Sequence, residues 1–293
     1  MNIAEKYILG TVQLGLDYGI NNASGKPSED EAHAMLDAAW AQGVRTLDTA
    51  EVYGNAHEVI GNYHRSRSDR RFKVVTKFLA ASLLEQGVEQ GLRSVLEELH
   101  VERLEGWMFH NPAELDRHMA LVDEMAGLQS TGLVGRIGVS VYTNEDVIRA
   151  ANTRHVGLLQ MPFNLLDNGG IRQEAISAAK AAGIEMHVRS VFLQGVFFMD
   201  TARLPQSLQP LLPYLEELRL LAEGSNLEIP QLALGYPFQH PDIDGVVIGT
   251  DNAQQIQRNM QMASADIGAG LRAQIEAIRV QEAEMLNPSN WNR

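Results

Sequence analysis

The chain has 293 residues, 45% of them hydrophobic, and a formal net charge of −13. Such an acidic surface repels phosphate backbones and anionic lipid, which argues against nucleic-acid or membrane partners, and no apolar run approaches the roughly 18 residues of a membrane span. There are no cysteines, so disulfides and thiolate metal sites are excluded, and Met1–Lys6 lacks a basic-then-apolar start, so a cytoplasmic protein is expected.

In chain order, short apolar runs predict strands at Tyr7–Gly10, Val44–Asp48, Phe72–Thr76, Gly106–Phe109, Arg136–Ser140, Val156–Gln160, Ile184–Val188 and Gly245–Ile248. Between them, apolar residues at i, i+3 and i+4 predict helices at Ser28–Trp40, Glu85–Leu99, Glu114–Leu128, Asn144–Ala151 and Arg172–Ala182. Ser28 with Glu31 forms a plausible capping box, and Gly43, Gly132 and Gly183 fit the position just past a helix end. The longest interval precedes the last strand and holds Pro210–Glu223 and Pro230–Tyr236, while Ala253–Met262 and Leu271–Ala283 follow it as extra C-terminal helices. Repeated strand–helix units without a Pro/Gly/Ser linker predict one domain over residues 1–293, an α/β protein with a (β/α)8 TIM barrel. An open doubly wound sheet is the competing fold, but Gly10-Thr11-Val12-Gln13-Leu14-Gly15 lacks its Gly-x-Gly-x-x-Gly spacing.

Four polar residues fall at or just past strand ends: Asp48, Tyr53 five positions later, Lys77 and His110. In a barrel the C-terminal strand ends meet at one mouth, so an acid, a phenol, an amine and an imidazole would converge there as a proton-transfer site. Lys77 would lower the pKa of Tyr53, Asp48 would hold Lys77, and His110 would orient a carbonyl oxygen. Singly, Asp48 is also a turn cap, Lys77 a solvated strand end and Tyr53 a packing aromatic; their conjunction argues for chemistry. None of the four carries a hydride, so a redox reaction needs a cofactor. The nine histidines show no His-Glu-x-x-His spacing, and no metal is expected. A Gly-x-Ser-x-Gly turn is also absent.

Leu47-Asp48-Thr49-Ala50-Glu51-Val52-Tyr53-Gly54 with Glu58 and Ile60-Gly61, Lys77 after Val74-Val75-Thr76, His110-Asn111-Pro112, Gly135–Ser140, Gln160 with Asn164-Leu165-Leu166, and Gly249 through Asn259 together resemble the aldo-keto reductase superfamily, in its order and over nearly the whole chain. The resemblance implies a barrel that reduces an aldehyde or ketone, or oxidises an alcohol, with Tyr53 as general acid/base. It implies that Gly10, Thr11 and Asp48 approach the nicotinamide ribose and that Ser140 and Gln160 hold the carboxamide. Gly249, Thr250, Asp251, Gln255 and Asn259 would line the adenosine half. Arg189, Ser190, Phe192, Gln194 and Gly195 fall in the segment around the end of strand seven that faces the cofactor. Three positions depart from the common pattern. Val141 replaces an Asn after strand five. Arg189 stands where a Tyr commonly stacks on nicotinamide, with Phe192 the nearest aromatic. Asp251 stands where Arg or Ser often meets a 2′-phosphate. NADP is the default cofactor and NAD the alternative, because Asp251 either accepts from a ribose hydroxyl or caps the following helix, and Arg258 is near enough in sequence to offset it.

The start Gly10–Gly19 and the run Arg189–Gly195 resemble aldo-keto reductase-like proteins of bacterial surface-polysaccharide pathways, which implies a sugar-derived carbonyl or polyol substrate. Tyr18, Tyr53, His110 and Tyr142 are its candidate contacts. Leu16–Pro27, with Asp17, Asn21, Asn22 and Lys26, is either a substrate loop or an ordinary surface loop. Met161, Phe163 and Trp291 are candidate pocket walls, Phe163 alternatively core. Alternatives to the reductase are a redox-neutral epimerase or dehydratase with tightly held cofactor, and a non-enzymatic cofactor-binding regulator. Oligomeric state stays open.

Overall fold

Apolar runs too short for helices pair edge to edge in the computed structural model, which describes residues 2–19 and 25–291. The parallel strands are β1 Tyr7–Gly10, β2 Thr46–Asp48, β3 Lys73–Phe78, β4 Leu104–Phe109, β5 Val134–Ser140, β6 Val156–Pro162, β7 Glu185–Arg189 and β8 Gly245–Gly249. Each pairs with the next, and β8 returns to β1 through Gly10 and Gly249, so the sheet closes into a barrel. The expected (β/α)8 barrel is therefore present, and closure leaves no free sheet edge.

The connecting helices are α1 Glu29–Ala41, α2 Ala56–Ser66, α3 Ala80–Gln86, α4 Val88–Leu99, α5 Pro112–Arg117, α6 Met119–Ser130, α7 Asn144–Ala151, α8 Gly169–Ala181, α9 Leu212–Gly224, α10 Ile229–Phe238, α11 Ala253–Ala263 and α12 Ala269–Ala277. Ser28 caps α1 as expected: its Oγ accepts from Glu31 N, while Ser28 N donates to Glu31 Oε2 at 2.9 Å. Gly43, Gly132 and Gly183 take φ of +87°, +85° and +74°, the left-handed stop that favours glycine.

Three helix readings are corrected. The segment expected as Glu85–Leu99 breaks at Gly87, φ +85°. The segment expected as Glu114–Leu128 begins at Pro112, under an Asn111 cap that accepts from Ala113 N at 2.8 Å, and breaks at His118. The last helix ends at Ala277 rather than Ala283, because Ile278 turns extended and Ile278 and Val280 are buried. Helix α2 was not anticipated. Among the described residues no helix is long and apolar enough to cross a membrane.

Side chains alternate across a strand, so every second residue points into the barrel. Val75, Met108 and Leu158 form an apolar cluster of their own, separate from the core between sheet and helices. Leu158 fits because β4 and β5 carry glycines there: a Cβ at Gly106 would lie 2.6 Å from Leu158 Cδ2, and one at Gly138 would lie 2.5 Å from Leu158 O. Ile8 and His187 crowd Gly245 in the same way. Each buried apolar side chain in this layer contributes about 1.5–3 kcal/mol. Two residues farther along their strands stand Gly10, Lys77, His110, Ser140, Gln160 and Arg189, which places them at the C-terminal mouth, just above this layer.

Candidate active site

At the mouth, β2 and β3 join Asp48 to Lys77. Lys77 Nζ donates to both carboxylate oxygens at 2.7 Å and to Thr49 O at 3.0 Å, so all three of its protons are committed. Gln160 Nε2 donates to Asp48 Oδ2 at 2.8 Å, and Thr11 Oγ1 donates to Asp48 O at 2.9 Å. The ion pair is dry, with side chains 1% and 5% exposed. Burial lowers the pKa of Lys77, and the Asp48 carboxylate pulls it back up.

Tyr53 hangs over this pair on the turn between β2 and α2. Two glycines bring the turn close. A Cβ on Gly15 would lie 1.7 Å from Tyr53 O, and one on Gly54 would lie 2.3 Å from Gly15 O; Gly54 also has φ +57°. Only bare backbone lets the β1 loop and the Tyr53 turn touch. Lys77 Nζ sits 5.6 Å from the Tyr53 ring centroid, and the His110 ring stands edge-on to it with centroids 6.1 Å apart. Burial and the Asp48 carboxylate push the Tyr53 hydroxyl above its ordinary value, while Arg189 pulls it down. This reverses the expected effect of Lys77, whose charge is spent on Asp48. Burial, then Lys77, pulls His110 down to about 4, so its imidazole is neutral near pH 7. Its Nδ1 is buried without a hydrogen-bond partner among the described residues. A protonated phenol and a neutral imidazole at one spot suit donation to an oxygen that gains negative charge.

Around this centre lie the residues expected to face a cofactor. Ser140 and Gln160 are neighbours in the β5–β6 register, although the Gln160 amide nitrogen is committed to Asp48. After β7 the chain is contorted: Ser190, Leu193 and Gln194 have φ of 59°, 45° and 52°, beside Gly195 at 91°. Such strain in residues other than glycine gathers at functional sites. Gln194 Oε1 and Thr250 Oγ1 are buried without partners among the described residues, and so is Gln13 Oε1. Gln13 was not anticipated. It follows β1 in the single helical turn Val12–Gly15 and lies against Gly249, where a Cβ would sit 2.5 Å from its Nε2. The only sequence signal was a polar residue inside a short apolar run. Unpaired Gln13 and Gln194 amide oxygens can accept from hydroxyl or amide donors, and the Thr250 hydroxyl and the N-terminus of α11 can donate to phosphate, so the group fits an extended polar ligand such as a dinucleotide.

Some expected partners behave differently. The cap of α11 is Asn252, which accepts from Gln255 N at 3.0 Å, so Asp251 is not the N-cap. Asp251 N donates to Gln255 Oε1 at 2.8 Å, and Gln255 Nε2 donates to Asp251 Oδ2 at 3.3 Å. Arg258 is exposed and lines a surface groove with Glu228 and Gln231 rather than meeting Asp251. Asn259 is nearly buried beside the Tyr7 hydroxyl. Phe192 packs on Phe198 with centroids 5.1 Å apart.

On the substrate side, Tyr18 and Tyr142 both lie within electrostatic reach of Tyr53. Phe163 is core: it stacks on Tyr236 at 5.2 Å, and Met161 is fully buried. The Trp291 indole donates to Met285 O at 2.8 Å. Lys26 donates to Asn55 Oδ1, tying the end of the first loop to the start of α2. Asn21 and Asn22 lie outside the described residues. Among the described residues no group of three or more His, Asp or Glu side chains is arranged to hold a metal ion.

The family model for the aldo/keto reductase family matches residues 6–279. D-threo-aldose 1-dehydrogenase of a Pseudomonas species is 24% identical, over 90% of this chain and 94% of its own. Aldo-keto reductase str7 of Strobilurus tenacellus is 22% identical over 90% and 85%. Among solved structures, the aldo-keto reductase MGS-M4 from a Medee basin deep-sea metagenome library superposes with a TM-score of 0.68 at 18% identity, covering 96% of this chain and 92% of that one.

Proposed function

This chain belongs to the aldo/keto reductase family, whose activity is nicotinamide-dependent carbonyl reduction, and from that premise we propose that it interconverts a sugar-derived carbonyl compound and its alcohol with Tyr53 as the acid/base. One observation carries the reading: a protonated, half-buried phenol faces a neutral imidazole above a dry Asp48–Lys77 pair at the barrel mouth.

When bound, the nicotinamide dinucleotide supplies or accepts the hydride. Gln13, Gln194, Thr250 and the start of α11 would hold it, with Ser140 and Gln160 toward its carboxamide. The His110 ring orients the carbonyl oxygen, and Tyr53 Oη gives up its proton to that oxygen as negative charge builds there. In the reverse direction the Tyr53 phenolate takes the alcohol proton. Burial and Asp48 oppose that phenolate, so the resting site is set for donation. The Lys77–Asp48 pair, with Thr49 O, holds its place beneath the Tyr53 ring. The sugar class draws support from the D-threo-aldose 1-dehydrogenase relative and from the polar groups around the mouth. NADP is the family default, and the Asp251 carboxylate is the feature that favours NAD. One barrel domain in a reducing compartment suits the acidic, cysteine-free composition.

The test is the steady-state oxidation of NADPH and NADH with a panel of aldoses and aldehydes. Tyr53→Phe should lower kcat by about 10²–10⁴-fold while dinucleotide binding, read by fluorescence titration, survives. Full activity in that variant would refute the assignment. Product formed without net cofactor turnover would favour a redox-neutral reaction, and binding without any turnover a regulator.

A further inference from the structure

The cations at the mouth are ion-paired, with one exception among the described residues. Lys77 is matched by Asp48 at 2.7 Å, and Arg172 by Asp167 at 2.6 Å. Tyr53 and His110 are neutral near pH 7. Arg189, at the end of β7, has no ion-pair partner among the described residues. Among the described residues its one side-chain hydrogen bond runs from Nη1 to Ser190 Oγ at 3.3 Å, and its Nη2 is buried without a partner. A chain with a net charge of −13 thus leaves one cation beside its catalytic groups without an ion pair among the described residues, with the Asp167 carboxylate, already bonded to Arg172, acting on it from a distance. Arg189 is half-buried, and its buried Nη2 is costly to leave without an acceptor.

The guanidinium is held in one orientation. Its face lies on the Tyr142 ring, with the central carbon 4.5 Å from the ring centroid. Tyr142 is fixed in turn by Arg172, whose Nη2 donates to Tyr142 O at 2.8 Å and whose Nη1 donates to Asn144 Oδ1 at 2.9 Å. Stacking occupies a face of the guanidinium and leaves the N–H pairs of its edge, which match two oxygens of a carboxylate. Along that edge Nη1 holds only the long Ser190 contact and Nη2 is buried, so an entering carboxylate would replace the Ser190 bond and draw the side chain toward itself. Alternation along β7 from His187 points Arg189 into the mouth, where its charge acts on Tyr53, Lys77 and His110 alike.

We propose that Arg189 receives the anionic end of the substrate, and that the carbonyl compound handled at Tyr53 carries a carboxylate, as a uronate or other oxo-acid does, rather than being a neutral sugar. The anion site follows from Arg189 itself; the carbonyl at Tyr53 rests on the reductase reading above. The other source of an anion is the phosphate of the dinucleotide, and the test separates the two.

Two matched pairs differ only in charge: D-glucuronate with D-glucuronamide, and 4-carboxybenzaldehyde with 4-formylbenzamide. Wild-type protein should prefer the acid of a pair by about tenfold or more in kcat/KM, the scale of a charge-assisted bidentate contact. Arg189→Gln should erase that preference chiefly through KM for the acid, and Arg189→Lys should restore part of it. Calorimetry with the same acids and amides reads the site without turnover, and NADPH fluorescence reads cofactor affinity. Equal handling of acid and amide by the wild type in both pairs, in turnover and in calorimetry, overturns the proposal. So does an Arg189→Gln variant that weakens NADPH binding and slows acid and amide equally, which would assign the anion to the cofactor. Acids that bind in an Arg189-dependent way without reduction of any carbonyl would sustain the anion site and sink the reductase reading instead.

Discussion

Replacing Lys77 by methionine strands Asp48. The three contacts of Nζ at 2.7, 2.7 and 3.0 Å vanish, and among the described residues the carboxylate keeps only Gln160 Nε2 at 2.8 Å. Removing one partner of a buried ion pair costs about 3–5 kcal/mol. Unfolding entropy of about 2.1 cal/mol/K per residue amounts to about 0.6 kcal/mol/K for 293 residues, so the midpoint should fall by about 5–8 °C. The double variant Lys77→Met with Asp48→Asn no longer buries a lone charge and should regain most of that loss, since neutral replacements of such pairs are often close to neutral in stability. Neither protein should reduce carbonyls at the wild-type rate. Differential scanning calorimetry near neutral pH measures the stability, and cofactor oxidation measures the rate. A Lys77→Met midpoint within about 1 °C of wild type, or a double variant no more stable than the single one, would show that the pair is not dry and that the reasoning fails.

Other outcomes follow from the same geometry. Carbonyl reduction needs Tyr53 protonated, and its hydroxyl is held above the ordinary 10.0. A pH profile of kcat/KM for reduction should therefore show no loss from this group below about pH 10, whereas alcohol oxidation should rise with pH across the alkaline range. Gly15→Ala adds a methyl group 1.7 Å from Tyr53 O, so it should displace the turn and cut kcat far more than it perturbs the circular dichroism of the barrel. Asp251→Ser removes the carboxylate bonded to Gln255 and should shift the NADPH-to-NADH affinity ratio toward NADPH by about tenfold, the scale of one nearby charge in a partly screened site; an unchanged ratio would put the 2′ position elsewhere. His110 and His240 are both pulled from 6.5 to about 4 by burial. Between these values the unfolded chain binds more protons than the folded one, so the melting temperature should fall as pH drops from 6.5 toward 4. A flat profile over that window would contradict their burial.

The barrel was legible because each strand holds a short, mostly apolar run, and because helices stop at Gly43, Gly132 and Gly183. Pairing in sequence order then leaves little topological choice. Asp48, Tyr53, Lys77 and His110 were legible for the same reason, since period-2 alternation carries Val75 to Lys77 and Met108 to His110. Helix α2 was hidden because Ala56–Ser66 mixes His, Asn, Glu and Arg among few apolar residues. The broken helices at Gly87 and His118 kept their apolar spacing across the break, so periodicity ran straight through. The sign of the shift at Tyr53 comes first from burial and then from the Asp48 carboxylate, neither of which spacing encodes. Gln13 and the Asp167–Arg172–Tyr142 chain are contacts between separate segments of the chain, and Asn252 took the cap of α11 from Asp251 by a single position.

The glycines at 106 and 138 give the mouth a property of their own. Leu158 lies against both and sits two residues below Gln160, so the space they leave sets how high its side chain rides. A methyl group at Gly106 meets side chains, Leu158 Cδ2 at 2.6 Å first and Val75 Cγ1 at 3.2 Å behind it, whereas one at Gly138 meets backbone, Leu158 O at 2.5 Å. Gly106 is therefore a screw turned from beneath: enlarging it would raise the floor and shorten the pocket with every mouth-facing residue unchanged. Substrate length, a quantity usually adjusted through loops, is on this barrel also adjustable along its axis.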